Sequence, residues 1–200
     1  MLNILIDLLP KCVEVSGKEF TIDSNFRASI LFELMVQDNT LSDEEKIIQA
    51  LEIYYGDNIP QDIPEAIDKI LEFYRGGKEE IRATKGKGKS KNIQVYSYEH
   101  DSELIYSAFM RDYGIDLQDI KYLHWWKFKA LFRGLSEDNE IVKAMRYRGI
   151  DLSTIKDKGE RDHYRKLKEY YKLPVTKEEE NRLEGLTEAL LNGGDIKKYL

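Results

Sequence analysis

Cysteine, histidine and proline are scarce in this chain, with one Cys, three His and four Pro among 200 residues. A lone thiol, Cys12, excludes an intramolecular disulfide framework and a cysteine-rich zinc module, and three histidines make a poor starting set for a histidine metal cluster. Long apolar runs are missing as well. The opening MLNILIDLLPKC has no basic flank before its apolar stretch, and Asp7 and Pro10 interrupt it well short of a signal peptide or membrane span, so a cytosolic protein with no membrane contact is expected. There is no excess of positive charge: 31 Lys and Arg against 37 Asp and Glu leave a net −6, which weighs against a globally basic nucleic-acid-binding coat. No glycine fingerprint links a strand to a helix, and HExxH, paired CxxC and strong local nucleophile motifs are all lacking. The expectation is a non-catalytic protein that needs no cofactor or metal.

What the chain does contain is enough apolar material, 42%, to exclude whole-chain disorder, and an aromatic set of 13 Tyr, 7 Phe and 2 Trp. Composition alone does not separate a dense aromatic core from an aromatic contact surface. Charge is segmented: residues 1–75 carry net −9, 76–91 net +4, 92–120 net −5, 121–172 net +6 and 173–200 net −2. Solvated helix faces account for most of these charges, and assembly surfaces are the alternative.

Periodicity predicts a mainly α protein with a small N-terminal β-hairpin and two helical parts joined by a Lys/Gly-rich linker. Val13, Val15, Phe20 and Ile22 alternate around Ser16-Gly17-Lys18, a hairpin signal, with Ile4 and Ile6 or the first helix expected to cover it. Asp23 or Ser24 caps a first helix with an expected buried stripe of Phe26, Ile30, Leu31 and Leu34. Ser42 with Glu45 reads as a capping box for a second, through Ile47, Leu51 and Tyr54 to Gly56. Asp62, Pro64 and Glu65 open a third, ending at Gly76-Gly77. The text GGKEEIRATKGKGKSKN at 76–92 reads as a flexible basic linker, which divides the chain into a hairpin and three-helix domain at 1–75 and a helical domain at 93–200. Beyond it, helices are expected from Asp101 or Ser102 to Tyr113-Gly114 and from Asp116 or Asp119 through Leu123, Trp126, Ala130 and Leu131. Others are expected from Ser136 to Gly149, from Asp157 through Tyr164, Leu167 and Tyr171, and from Thr176 through Leu183, Leu186 and Leu190.

Two constellations stand out as partner-binding candidates. Trp125, Trp126, Phe128 and Phe132 cannot share one helix face, because neighbours differ by about 100 degrees. Some turn inward, and the contact reading puts at least Trp125 or Phe128 in an exposed patch. Arg133, Lys143, Arg146, Arg148, Arg161, Arg165 and Lys168 could meet an acidic partner or the −9 segment of another copy. The competing reading sets Lys85, Lys87, Lys89, Lys91, Arg146 and Arg148 on phosphates with Trp125 or Tyr147 stacked on a base. The enzyme reading pairs His100 with Asp101 and Glu103, or His124 with Glu99, but no nucleophile or oxyanion feature completes it.

The stretches YSYEHDSELIYSAFMRDYGIDL at 96–117, LHWWKFKALFRGL at 123–135 and MRYRGIDLSTIKDKGERDHYRKLKEYYKLP at 145–174 follow SNFRASILFELMVQD and YYGDNIP in an order that resembles the bacteriophage gene-product-fifteen family over nearly the full length. Members are encoded among siphophage tail-morphogenesis genes near the tape-measure gene. The resemblance therefore implies a tail-assembly role of chaperone type in the host cytoplasm. Its implied partners are the tape-measure protein and/or the tail-tube protein, with a homo-oligomer or a companion tail assembly chaperone as further associations. A structural virion tail subunit is the alternative, and the nucleic-acid-binding module is a second.

Overall fold

The computed structural model describes residues 3–77 and 93–174. The expected basic linker, apart from Gly76 and Gly77, and the expected terminal helix at Leu183–Leu190 lie outside those residues. Among the described residues there are seven α-helices and one antiparallel hairpin.

The hairpin pairs β1 (Cys12–Val15) with β2 (Lys18–Thr21), bringing Val13 opposite Phe20. Both turn residues, Ser16 and Gly17, take positive φ, the geometry that matches the strands' right-handed twist. Its support differs from the expectation. Val15 is buried, and the turn is tied to α3 (Ile63–Arg75), where the Glu65 carboxylate accepts the Ser16 N–H at 2.8 Å and its hydroxyl at 3.0 Å. Phe20 meets the edge of Tyr55. Ile4 and Ile6 are exposed and do not cover the strands.

Helix α1 (Phe26–Gln37) begins one or two residues later than expected, because Asn25, and not Asp23 or Ser24, accepts the Arg27 N–H. Its buried face is also rotated from the expected stripe. Phe26, Ala28, Ser29, Phe32 and Met35 are enclosed, whereas Leu31 is 57% exposed. The buried face is the one that meets α2 (Asp43–Tyr55) and α5 (Trp125–Arg133): Ser29 shares a hydrogen bond with the Tyr54 hydroxyl, and Phe26 stacks on Phe128. The Ser42–Glu45 capping box of α2 is complete in both directions. In α3, Asp62 caps the start, Pro64 sits in the first turn and Gly76 closes the end in the left-handed region.

Helix α4 (Ser102–Tyr113) ends on Gly114, as expected from the sequence. The next helix starts later than expected. Asp116 is not a cap: its carboxylate accepts the Gln118 and Asp119 N–H groups in a tight turn, and α5 opens at Trp125 with His124 as its cap. Asn139, rather than Ser136, precedes α6 (Glu140–Gly149), and Asp157 caps α7 (Lys158–Tyr170). No residue of α7 is fully buried.

The two described stretches bury a common core. Phe26, Phe32, Tyr54 and Phe73 from the first pack with Tyr98, Phe109, Trp125 and Phe128 from the second. Polar contacts reinforce this: the Arg27 guanidinium donates to the carbonyls of Leu117 at 2.7 Å and Ile120 at 3.0 Å, and the Trp125 N–H donates to the Ser24 carbonyl at 2.8 Å. No helix among the described residues is long and apolar enough to cross a membrane.

Candidate functional site

The WWKFK run owes its composition to the way α5 receives the end of α3. A helix leaves its last carbonyls without internal partners. Here the Trp125 indole donates to the Tyr74 carbonyl at 2.8 Å, the Trp126 indole donates to the Phe73 carbonyl at 2.7 Å, and the Lys129 ammonium also reaches the Tyr74 carbonyl at 2.8 Å. Positions 125 and 129 lie one turn apart, so both reach the same carbonyl, while Trp126 lies across Gly77, where an added Cβ would come within 3.0 Å of the ring.

The expectation that Trp125 or Phe128 forms an exposed patch is corrected. Trp125 is 1% exposed and Phe128 fully enclosed, because Phe128 lies in a stack with Phe26 at 5.0 Å, Phe109 at 4.9 Å and Trp125 at 5.6 Å. Trp126 and Phe132 are half-buried. Phe132 borders a cleft with Tyr74, Tyr96, Tyr98, Lys129 and Arg133. Glu33 lies next to these tyrosines and accepts a hydrogen bond from the Tyr74 hydroxyl; burial and the nearby Glu33 carboxylate push Tyr96 up to about 12.

The basic candidates divide by burial. Arg148 is buried, with its guanidinium paired to the Asp101 carboxylate through two hydrogen bonds of 2.6 and 2.9 Å. It also donates to the carbonyls of Tyr171 and Val95. Arg148 is therefore removed from both the acidic-partner set and the phosphate-binding set, and Trp125 from base stacking. Arg146 is exposed and lies over the Tyr147 ring, itself stacked on Tyr171. Arg133 is exposed at the end of α5. On α7, Arg165 pairs with Asp162 at 2.5 Å, Lys168 donates to the Ile150 carbonyl at 2.8 Å, and Arg161 donates to Ile155 at 3.4 Å. Lys143 pairs with Glu140. Lys85, Lys87, Lys89 and Lys91 lie outside the described residues.

Asp101 and His124 of the enzyme reading have other partners. Asp101 serves Arg148 and the Ser97 N–H, and His100 stands 3.9 Å from Glu99. His124 is structural. Its Nδ1 accepts the Trp126 N–H at 3.1 Å, which leaves Nε2 to donate to the Pro10 carbonyl at 2.9 Å. Burial pushes its pKa below the ordinary 6.5, since the charged ring would be poorly solvated. The depressed value means that the unfolded chain binds the proton more readily. The stabilising contribution is therefore present above the unfolded value and is lost as pH falls through the folded one. The thermal midpoint is expected to drop as pH goes from about 7.5 to about 5.5, and a His124→Asn variant, which keeps a capping oxygen, is expected to flatten that slope. An unchanged slope in the variant would assign the drop to other groups.

The open apolar surface lies elsewhere, on the N-terminal helices. A groove of about 830 Å³ runs between α1 and α2, lined on its apolar side by Leu31, Leu34, Met35, Leu41 and Ile53. Polar neighbours include Asp38 and Glu99. Val36 and Ile48 are exposed on the same two helices, and the short turn at 4–8 exposes Leu5, Ile6 and Leu8. The sequence reading missed this surface by assigning Leu31 to the interior, whereas Leu34 is partly buried against the core; the signal was the surplus of apolar positions on α1 over those one face can bury.

A family model described as Bacteriophage Gp15 protein matches residues 5–173 of this chain. No curated protein and no solved structure matches it.

Proposed function

The chain belongs to the Bacteriophage Gp15 protein family, and from that premise we propose that it is a non-catalytic tail-assembly factor that holds a tail polypeptide before it joins the growing tail. Membership carries the coarser statement, a phage structural or assembly role. The finer reading is supported by one observation above the rest: the open apolar groove between α1 and α2, which leaves a large side chain such as Leu31 more than half exposed. Apolar surface of this kind on a folded chain suits a polypeptide partner that would otherwise aggregate. The clients proposed are the tape-measure protein and/or the tail-tube protein, met in the host cytoplasm.

Affinity capture with the full chain from phage-infected cells is expected to recover one of those two proteins. Leu31→Glu is expected to reduce recovery by about tenfold while leaving the helical circular dichroism intact, because its side chain already faces water. Recovery of neither tail protein would end the reading, and stoichiometric presence of the chain in purified mature particles would replace it with a structural tail subunit.

A further inference from the structure

The groove on α1 and α2 has an electrical character that narrows what can occupy it. Along residues 26–55, which span α1, α2 and the turn between them, the acidic side chains are Glu33, Asp38, Asp43, Glu44, Glu45 and Glu52, and the bases are Arg27, whose guanidinium donates to the Leu117 and Ile120 carbonyls, and Lys46. The Lys46 ammonium is held at 2.8 Å on the Val36 carbonyl at the end of α1. Asp38 lies on the groove itself, its carboxylate accepting both the N–H and the hydroxyl of Thr40, and Glu99 adds a second carboxylate from the segment before α4. An apolar floor with acidic borders repels nucleic acid and acidic helices alike and attracts cations.

We propose that this groove binds a basic amphipathic helix of a partner protein, with apolar side chains at i, i+3 or i+4 and i+7 seated on Leu31, Leu34, Met35, Leu41 and Ile53 and flanking Lys or Arg near Asp38 and Glu99. The proposal rests on the assembly reading and names the chemistry of the segment held. Leucine-type anchors supply affinity by leaving water, and the carboxylates select among apolar helices by charge and speed encounter.

The test uses the full chain and a fluorescent helical peptide of about 18 residues built from Leu and Lys at amphipathic spacing, beside a counterpart with Glu in place of every Lys. The Leu/Lys peptide is expected to bind at least about tenfold more tightly than the Leu/Glu one, and to weaken by about tenfold between about 50 and about 500 mM salt. Leu31→Glu is expected to remove most of the binding. Should that variant unfold, Asp38→Asn with Glu99→Gln leaves the apolar floor in place and is expected to remove most of the salt dependence. Equal binding of the two peptides, or binding indifferent to both variants, overturns the proposal. So does self-association of the chain that Leu31→Glu abolishes, which would make a second copy the occupant. Capture of a tail protein from lysate with no peptide preference sinks this proposal alone, whereas peptide preference with no tail protein captured sinks the assembly reading alone.

Discussion

Replacing Arg148 with Ala is expected to destabilise the protein by about 3–5 kcal/mol, the range for removing one member of a buried ion pair. The cost arises because Asp101 would remain in the interior with a negative charge and, among the described residues, only the Ser97 N–H as a hydrogen-bond donor to its carboxylate. Arg148 also fastens two pieces of backbone: its Nε donates to the Tyr171 carbonyl at the end of α7, and its Nη1 donates to the Val95 carbonyl in the segment before α4. Since α7 has no fully buried residue, loss of that tie is expected to loosen it first, visible as faster amide exchange along 158–171. Arg148→Lys is expected to rescue little, because an ammonium cannot reproduce the planar fork that serves a carboxylate and two carbonyls together. Arg148→Met combined with Asp101→Leu is expected to regain much of the loss, as both charges then leave the interior. Urea denaturation of the four chains checks this, and an Arg148→Ala loss below about 1 kcal/mol would mean that water reaches the pair.

Phe128→Ala is expected to cost about 3–5 kcal/mol, the usual range for emptying a large aromatic site. The ring is completely enclosed, and its partners are Phe26 on α1, Phe109 on α4, Trp125 and Phe132 on α5, and Tyr98 from the segment before α4. Because α1 lies on one side of the basic segment and α4 and α5 on the other, the substitution tests whether the shared core melts as one unit. A single denaturation transition shifted to lower urea is expected when followed by tryptophan fluorescence and by helical circular dichroism. Two separated transitions, with only the tryptophan signal shifted, would show the two stretches folding independently. The contrast with Leu31→Glu, expected to disturb capture and spare stability, separates the core aromatics from the surface leucine.

Helix ends were the most legible features. Ser42 with Glu45, Asp62 with Pro64, and Asp157 each occupy the capping position that their chemistry favours, and Gly17, Gly76 and Gly114 sit where positive φ is required. These signals are local: a hydroxyl or carboxylate three residues from a backbone N–H needs no tertiary partner to identify it. Asp101 shows the limit. It stands at the start of α4 but makes no cap hydrogen bond, because its carboxylate is spent on Arg148, 47 positions away. Asp116 shows it again, closing its own short turn and leaving the cap of α5 to a histidine anchored on Pro10.

Helix phase was less legible. On α1 the apolar residues outnumber what one face can bury, so periodicity permitted Leu31 inside and Phe32 outside as readily as the reverse. The choice was made by Tyr54 and Phe128, which meet Ser29, Phe32 and Phe26. The same holds for α5, where Trp125 and Trp126 are adjacent and both donate to carbonyls at the end of α3, that of Phe73 also accepting the Gly76 N–H, which no sequence pattern marks. Trp125 and Phe128 are therefore enclosed while Trp126 and Phe132 stay half-buried, and an open apolar groove lies on α1 and α2.

The amino-acid sequence by itself determined a helical chain with one hairpin, the starts of α2, α3 and α7 and several helix stops, its segmented charge and its likeness to a phage family, since all of these reside in residue types and short spacings. Which aromatic rings are enclosed, which arginine is buried against which aspartate, and which leucines are left facing water were decided only by tertiary packing. Each of those outcomes depends on contacts between residues many positions apart, and such contacts leave no periodic trace in the chain.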